Sequence, residues 1–241
     1  MLLTVAFQAN QGKSFVNLFK GCEVWSIAPR PCRSRRSVAA EATQYYSNIF
    51  PSRKKYTKKE GIPMNIWHDI SPKRIKSDDF YAVIEISKGS KSKYEMDKET
   101  GLLRLDRVLY TSTHYPANYG FIPRTYANDG DPLDVLVLCS ENIIPMSLVR
   151  CYPIGVIIMD DSGAEDEKII AIPFDDPTYN SYKSISQLPM HIFEEMRHFF
   201  KVYKQLESDK STEISEARGP DDAKAVIDAC LDRYLNDFCK A

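Results

Sequence analysis

A chain of 241 residues with 43% apolar side chains can form one domain with a real core plus an appendage. The formal net charge of −1 hides a split: residues 1–55 carry nine Lys/Arg against two acids, and the remainder carries 23 against 31. An acidic bulk argues against a nucleic-acid coat, and no apolar run approaches the ~20 residues that a membrane helix needs.

Residues 1–55 lack hydrophobic periodicity and contain a basic cluster, RPCRSRRSVAA. The opening MLLTVAF is too short, and lacks the basic flank, for a secretory signal. The composition is similar to an organellar transit peptide; the alternatives are a disordered extension or a true start at Met64. Residues 1–63 are expected to be an extension and 64–241 the folded domain. Six cysteines without a CxxC pair read as reduced thiols, with Cys139 and Cys151 in strand-like runs and Cys230 on a helix face. The expected compartment is the cytoplasm, or an organelle if residues 1–55 are a presequence.

From residue 66 the pattern turns β. YAVIEIS (81–87), SKYEMD (92–97), LLRLDRV (102–108), LDVLVLC (133–139), SLVRCYPIGVIIMD (147–160) and EKIIAIP (167–173) are short, rich in Val, Ile and Tyr, and separated by turn residues. They predict a small barrel or sandwich, with 147–160 bending at Pro153–Gly155. The period then changes. Ile192, Met196, Phe199, Tyr203 and Leu206 recur at helical steps, and a second helix after Pro220, with Asp221 as N-cap, places Ala223, Ile227, Cys230, Tyr234 and Phe238 on one face. Strands first and helices last make an α+β arrangement.

The stretch NDGDPLDVLVL puts Asp129, Asp131 and Asp134 at the entrance of an apolar strand. An EF-hand would need Gly at 134 and Glu at 140, where Asp134 and Ser140 stand. A plain turn accounts for Gly130 and Pro132 but not for three acids. A second acidic run, MDDSGAEDEK (159–168), also lies at a strand end. If both runs open at one barrel rim, their hard oxygens favour Mg²⁺ or Mn²⁺ over Zn²⁺, and several acids could hold more than one ion. Positive and hydroxyl groups accompany them. Lys93 and Glu95 share a strand face, and Arg107 falls on the face of Leu103 and Leu105. Tyr115 and Tyr119 precede the aspartate loop, and Tyr203 and Lys204 lie on the first helix. Acids for metals with Lys, Arg and Tyr for an anion suit phosphoryl chemistry on a metal–phosphate complex. No Walker loop competes, because GKS at 12–14 has Phe7 where glycine is required.

Together DGDPLDVLV, KYEMDK, DRVLY, YPANYGFIP, DDSGAEDEK and FFKVYK closely resemble, in matching order from about residue 66 to about 207, the soluble inorganic pyrophosphatases of family I. The resemblance implies a five-stranded OB-like β-barrel with flanking C-terminal α-helices, and hydrolysis of pyrophosphate to two phosphates with several Mg²⁺ ions. By motif position it implies Asp129, Asp134 and Asp166 as ligands of the principal metals. Asp131 would be both ligand and base toward the attacking water, with Asp161 on a further metal and Glu85 and Glu95 supporting that shell. It implies Lys93, Arg107, Tyr119, Lys168, Tyr203 and Lys204 as holders of the phosphoryl groups. It also implies a homo-oligomer; from the acidic bulk and the lack of a long apolar run, no nucleic-acid or membrane partner is expected. Two departures stand out: ESDKSTEISEARG replaces the Lys-, Gly- and Trp-containing strand that many bacterial members have after Lys204, and residues 1–65 have no counterpart in the compact bacterial pattern. The rival readings are another Mg²⁺-dependent hydrolase of small phosphate esters, and a non-catalytic OB-type barrel binding single-stranded nucleic acid, which would need a basic, aromatic groove.

Overall fold

The computed structural model of the chain describes residues 65–161, 164–207 and 212–239. The N-terminal stretch, and with it the choice between presequence, extension and later start, lies outside the described residues.

The framework is a ring of five strands: β1 (Phe80–Ile86), β4 (Asn118–Phe121), β5 (Asp134–Val137), β7 (Ala164–Pro173) and β6 (Leu148–Asp161) pair in that order, and β6 returns to β1. A ribbon of β2 (Ser92–Met96) and β3 (Leu103–Val108) stands apart, and β8 (Thr212–Arg218) adds to the end of β6. Every pairing is antiparallel except β5–β7. The long β6 serves three partners because a bulge between Pro153 and Gly155 bends it, where the sequence anticipates a bend. Both faces of β5 are buried, which is why DVLV reads as a continuous apolar run: Leu136 joins the cluster with Met196, Phe199 and Phe200, while Val135 and Val137 join the one with Ala223, Ile227 and Cys230. This is the five-stranded barrel of the α+β reading.

Among the described residues, besides one short turn, α1 (Ile66–Asp69), two α-helices flank the barrel: α2 (Met190–Val202) and α3 (Pro220–Phe238). Three local expectations are corrected. Helix α2 stops at Val202, so Leu206 falls out of the helical period and lies in solvent. Gly219, not Asp221, is the N-cap of α3; Pro220 takes the first helical position, which places Asp221 and Asp222 in the first turn, where the helix dipole favours acids. Phe238 is half-exposed, unlike Ala223, Ile227, Cys230 and Tyr234, because it sits on the last turn against Trp67 and Tyr126.

Strands β4 and β8 escape the pattern. NYGF is too short to alternate, yet all four residues are buried. Gly120 is required there because a Cβ would lie 1.8 Å from Val83 O on the paired strand. Among the described residues no helix is long and apolar enough to cross a membrane, and Cys139, Cys151, Cys230 and Cys239 are free thiols.

Candidate active site

Three local devices bring distant residues to one end of the barrel. A bulge in β1 between Ile84 and Ile86 gives Glu85 no direct partner on β4, and it turns its carboxylate to the Met96 N–H at 2.7 Å. The loop between β4 and β5 is built on Thr125, fully buried, whose hydroxyl donates to Ile122 O at 2.6 Å and accepts from Leu133 N–H at 2.8 Å. Gly130, at φ +84°, turns the chain so that Asp129 accepts from Asp131 N–H at 3.0 Å and the carboxylates stay at the mouth. The parallel register of β5 and β7 then sets Asp134 directly opposite Lys168.

A cleft of about 610 Å³ results. Every sequence-predicted site residue lines it except Arg107 and Asp161. The Asp161 side chain lies outside the described residues. Arg107 stands one layer back: it ion-pairs with Asp106, whose carboxylate also faces Lys93 Nζ at 3.5 Å. A bulge at Asp106, where Arg107 pairs with Lys93 but Leu105 with Tyr94, breaks the alternation that would put Arg107 on the face of Leu103 and Leu105. Tyr203 caps the C-terminus of α2, stacked on Phe199 at 5.2 Å, and so delivers Lys204 to the cleft.

Lys168 is the centre of the site. Its side chain is 4% exposed, and its ammonium donates to Asp134 at 2.6 Å, Asp166 at 3.0 Å and the Tyr119 hydroxyl at 3.2 Å. Burial disfavours the charged form; Asp134 and Asp166 outweigh burial and keep it protonated far above the usual lysine range. Tyr119 in turn donates to Asp134, and burial beside Asp134 and Asp166 raises its phenol well beyond the usual range. One ammonium is too little for these acids. Burial pushes the Asp166 carboxyl up, with Asp134 adding to the push against Lys168. Burial also raises Asp129, with Asp134 and Asp131 adding to it. Glu85 is pushed to about 8, first by burial and then by Asp134 and Glu95, despite its bond from Met96 N–H.

A site short of positive charge, furnished with hard oxygen donors, fits divalent cations such as Mg²⁺ by its donor chemistry. No three His, Cys, Asp or Glu side chains among the described residues form a preassembled metal cage. Lysines hold part of the set instead: Lys168 as above, and Lys98, which pairs with Asp131 at the exposed rim.

The matching family model is that of inorganic pyrophosphatase, over residues 82–235. The chain belongs to the inorganic pyrophosphatase family. Soluble inorganic pyrophosphatase 2 of Chlamydomonas reinhardtii is 47% identical over 178 residues, covering 74% of this chain and 92% of that one. Inorganic pyrophosphatase of Aquifex pyrophilus is 46% identical over 170 residues, covering 70% and 96%. Among solved structures, inorganic pyrophosphatase from Thermus thermophilus superposes with a TM-score of 0.68 at 35% identity, covering 71% of this chain and 99% of that one. The Helicobacter pylori enzyme does so with 0.65 at 42%, covering 66% and 95%.

Four charged residues of this chain escape the sequence reading: Lys98, Arg104, Asp106 and Glu207. Lys98 meets Asp131, Arg104 meets Glu95 at 3.4 Å, Asp106 joins Arg107 to Lys93, and Glu207 approaches Arg107 Nε at 2.6 Å. The first three lie in or beside the motif stretches KYEMDK and DRVLY, but only strand register shows whom they face.

Proposed function

We propose that this chain hydrolyses inorganic pyrophosphate to two phosphates in the cleft, with Mg²⁺ as the activating ion and Mn²⁺ as a substitute. The observation that carries this reading is one cleft with a carboxylate side, Asp129, Asp131, Asp134 and Asp166, and a cationic and phenolic side, Lys93, Lys168, Tyr119, Tyr203 and Lys204. A tetra-anionic substrate with its metals needs both sides at once. Family membership supports the same substrate.

Asp129, Asp134 and Asp166 would hold the principal metals, with Asp161 on a further one and Glu85 and Glu95 behind them. Bound there, Mg²⁺ supplies charge neutralisation and a more acidic water. Asp131 takes the proton; half-exposed and paired with Lys98 at the rim, it exchanges that partner readily, since exposed ion pairs contribute little. Lys168 and Tyr119 are fixed before substrate arrives, with their N–H and O–H groups turned to Asp134, Asp166 and one another. Once metals take those carboxylates, the two donors would be released, already in place, toward the charge of the departing phosphate. Lys93, Tyr203, Lys204 and Arg107 hold the remaining phosphate oxygens.

We further assign the protein to the cytoplasm, in keeping with its free thiols, and to a homo-oligomer, for which exposed Leu105, Val108 and Tyr110 on the β2–β3 ribbon and the segment after it offer apolar surface. The test is phosphate release from pyrophosphate with and without Mg²⁺, beside Asp131→Asn. Mg²⁺-dependent release that falls ~10²–10⁴-fold in the variant is expected. No release from folded, metal-loaded protein would sink the reading.

A further inference from the structure

Arg107 is the anion-binding candidate whose position the barrel does least to hold. It lies on β3, the outer strand of a two-stranded ribbon, and β3 is exposed at Arg104, Leu105 and Asp106. Such a ribbon is marginally stable alone and fixes a long side chain poorly. Two carboxylates hold it instead: Asp106 takes Nη1, and Glu207 Oε2 lies 2.6 Å from Nε. Glu207 comes from the other side of the site. It follows Lys204 by three residues, and its backbone N–H donates to Lys204 O at 2.9 Å.

This pair is ill suited to stabilising the fold. The Glu207 side chain is 13% exposed, and both its Oε1 and Arg107 Nε are buried without a well-formed hydrogen bond. A buried ion pair with imperfect geometry returns less than its desolvation costs. A carboxylate beside an anion-binding group also repels the anion. What the contact supplies is position. With Glu207 against Nε and Asp106 against Nη1, Nη2 has no carboxylate against it among the described residues and can reach forward to an oxyanion from its place behind the cleft wall.

We propose that Glu207 is a positioning residue for substrate binding: anchored at the end of α2, it sets the Arg107 guanidinium so that Nη2 receives a phosphate oxygen of the diphosphate. The ribbon that carries Lys93 and Arg107 and the segment that carries Tyr203 and Lys204 thereby become one anion-binding face. Donors already in place lose less freedom when the anion arrives. The inference rests on the role proposed above for Arg107.

The test uses the full chain with saturating Mg²⁺, and four proteins: wild type, Glu207→Gln, Arg107→Ala and the double variant. Steady-state phosphate release is read beside calorimetric binding of methylene diphosphonate, a diphosphate analogue that is not hydrolysed. Glu207→Gln keeps the shape and loses the charge. Because Arg107 is 27% exposed and keeps Asp106, the guanidinium is not left buried and unpaired, and the melting temperature falls by no more than about 3 °C. KM and the analogue Kd rise ~10-fold, while kcat changes less than ~3-fold. In the Arg107→Ala background the same substitution adds nothing to either constant. Glu207→Asp, which keeps the charge but not the reach, also fails to restore KM. Equal effects of Glu207→Gln in both backgrounds would overturn the proposal, because Glu207 would then act on something other than Arg107. Tighter analogue binding by Glu207→Gln would overturn it too, because the carboxylate would be only a competitor of the substrate. An Arg107→Ala variant with unchanged KM and Kd would instead remove the role of Arg107 itself, and the inference with it.

Discussion

Replacing Lys168 with Met tests the electrostatics of the site directly. The substitution keeps the length of the stem and removes the ammonium that Asp134, Asp166 and the Tyr119 hydroxyl share. Breaking a buried ion pair from one side costs ~3–5 kcal/mol. An independent bound agrees: a carboxylate denied its partner can take up a proton, which at pH 7 limits its penalty to ~4 kcal/mol. For a domain of this size each kcal/mol moves the melting temperature by ~2–4 °C, so Lys168→Met in EDTA is expected to melt ~10 °C below wild type. Two dependences identify the cause. The gap narrows as pH falls, because Asp166, whose carboxyl burial already pushes up, needs no ammonium once protonated. Saturating Mg²⁺ raises the variant more than the wild type, because a divalent ion replaces the lost charge and no ammonium competes for the oxygens. Scanning fluorimetry across pH, with EDTA or Mg²⁺, measures all of this. A gap under ~2 °C, or equal Mg²⁺ shifts in both proteins, would refute the claim that Lys168 neutralises these acids.

Glu85 predicts a pH dependence of opposite sign to that of most carboxylates. Its pKa is raised from an ordinary 4.5 to about 8, so between those values the folded state binds more protons than the unfolded one. Metal-free stability contributed by Glu85 is complete below about 4.5 and is lost as pH rises through about 8. Urea unfolding in EDTA at pH 5, 7 and 9 should show that decline and a flatter profile for Glu85→Gln; parallel profiles would count against it. At Gly120 a methyl group would meet Val83 O at 1.8 Å, and both atoms belong to paired strands, so no side chain can move aside. Gly120→Ala should exceed the ~1–3 kcal/mol typical of overpacking and displace the adjacent Tyr119. A variant that melts with wild type and keeps full activity would show that the β1–β4 seam is looser than described.

Much of the site was legible because its residues cluster in sequence. Asp129, Asp131 and Asp134 sit in one loop, and their number at a strand entrance asks for a cation whatever the fold. Lys93 and Glu95 share a strand face by simple alternation, and they bond to one another. The strands rich in Val and Ile were readable for the same reason, as was the helical step of Met196, Phe199 and Tyr203. Arg107 illustrates the limit. Alternation puts it beside Leu105, and a single bulge at Asp106 undoes that, since one extra residue reverses every facing beyond it.

The sequence by itself therefore determined the type of both long helices and of every strand except β4 and β8, the acidic character of the site and the family, all of which follow from neighbouring residues and their order. Tertiary structure decided who faces whom. Asp134 meets Lys168 across 34 positions only because β5 and β7 run parallel in that register. Glu85 reaches Met96 only through a bulge, and β4 closes the ring only because Gly120 lacks a Cβ. Glu207 finds Arg107 from the far end of α2. Local composition records what each residue prefers for itself; the charges that balance one another across a closed barrel are set by the register with which the ring closes.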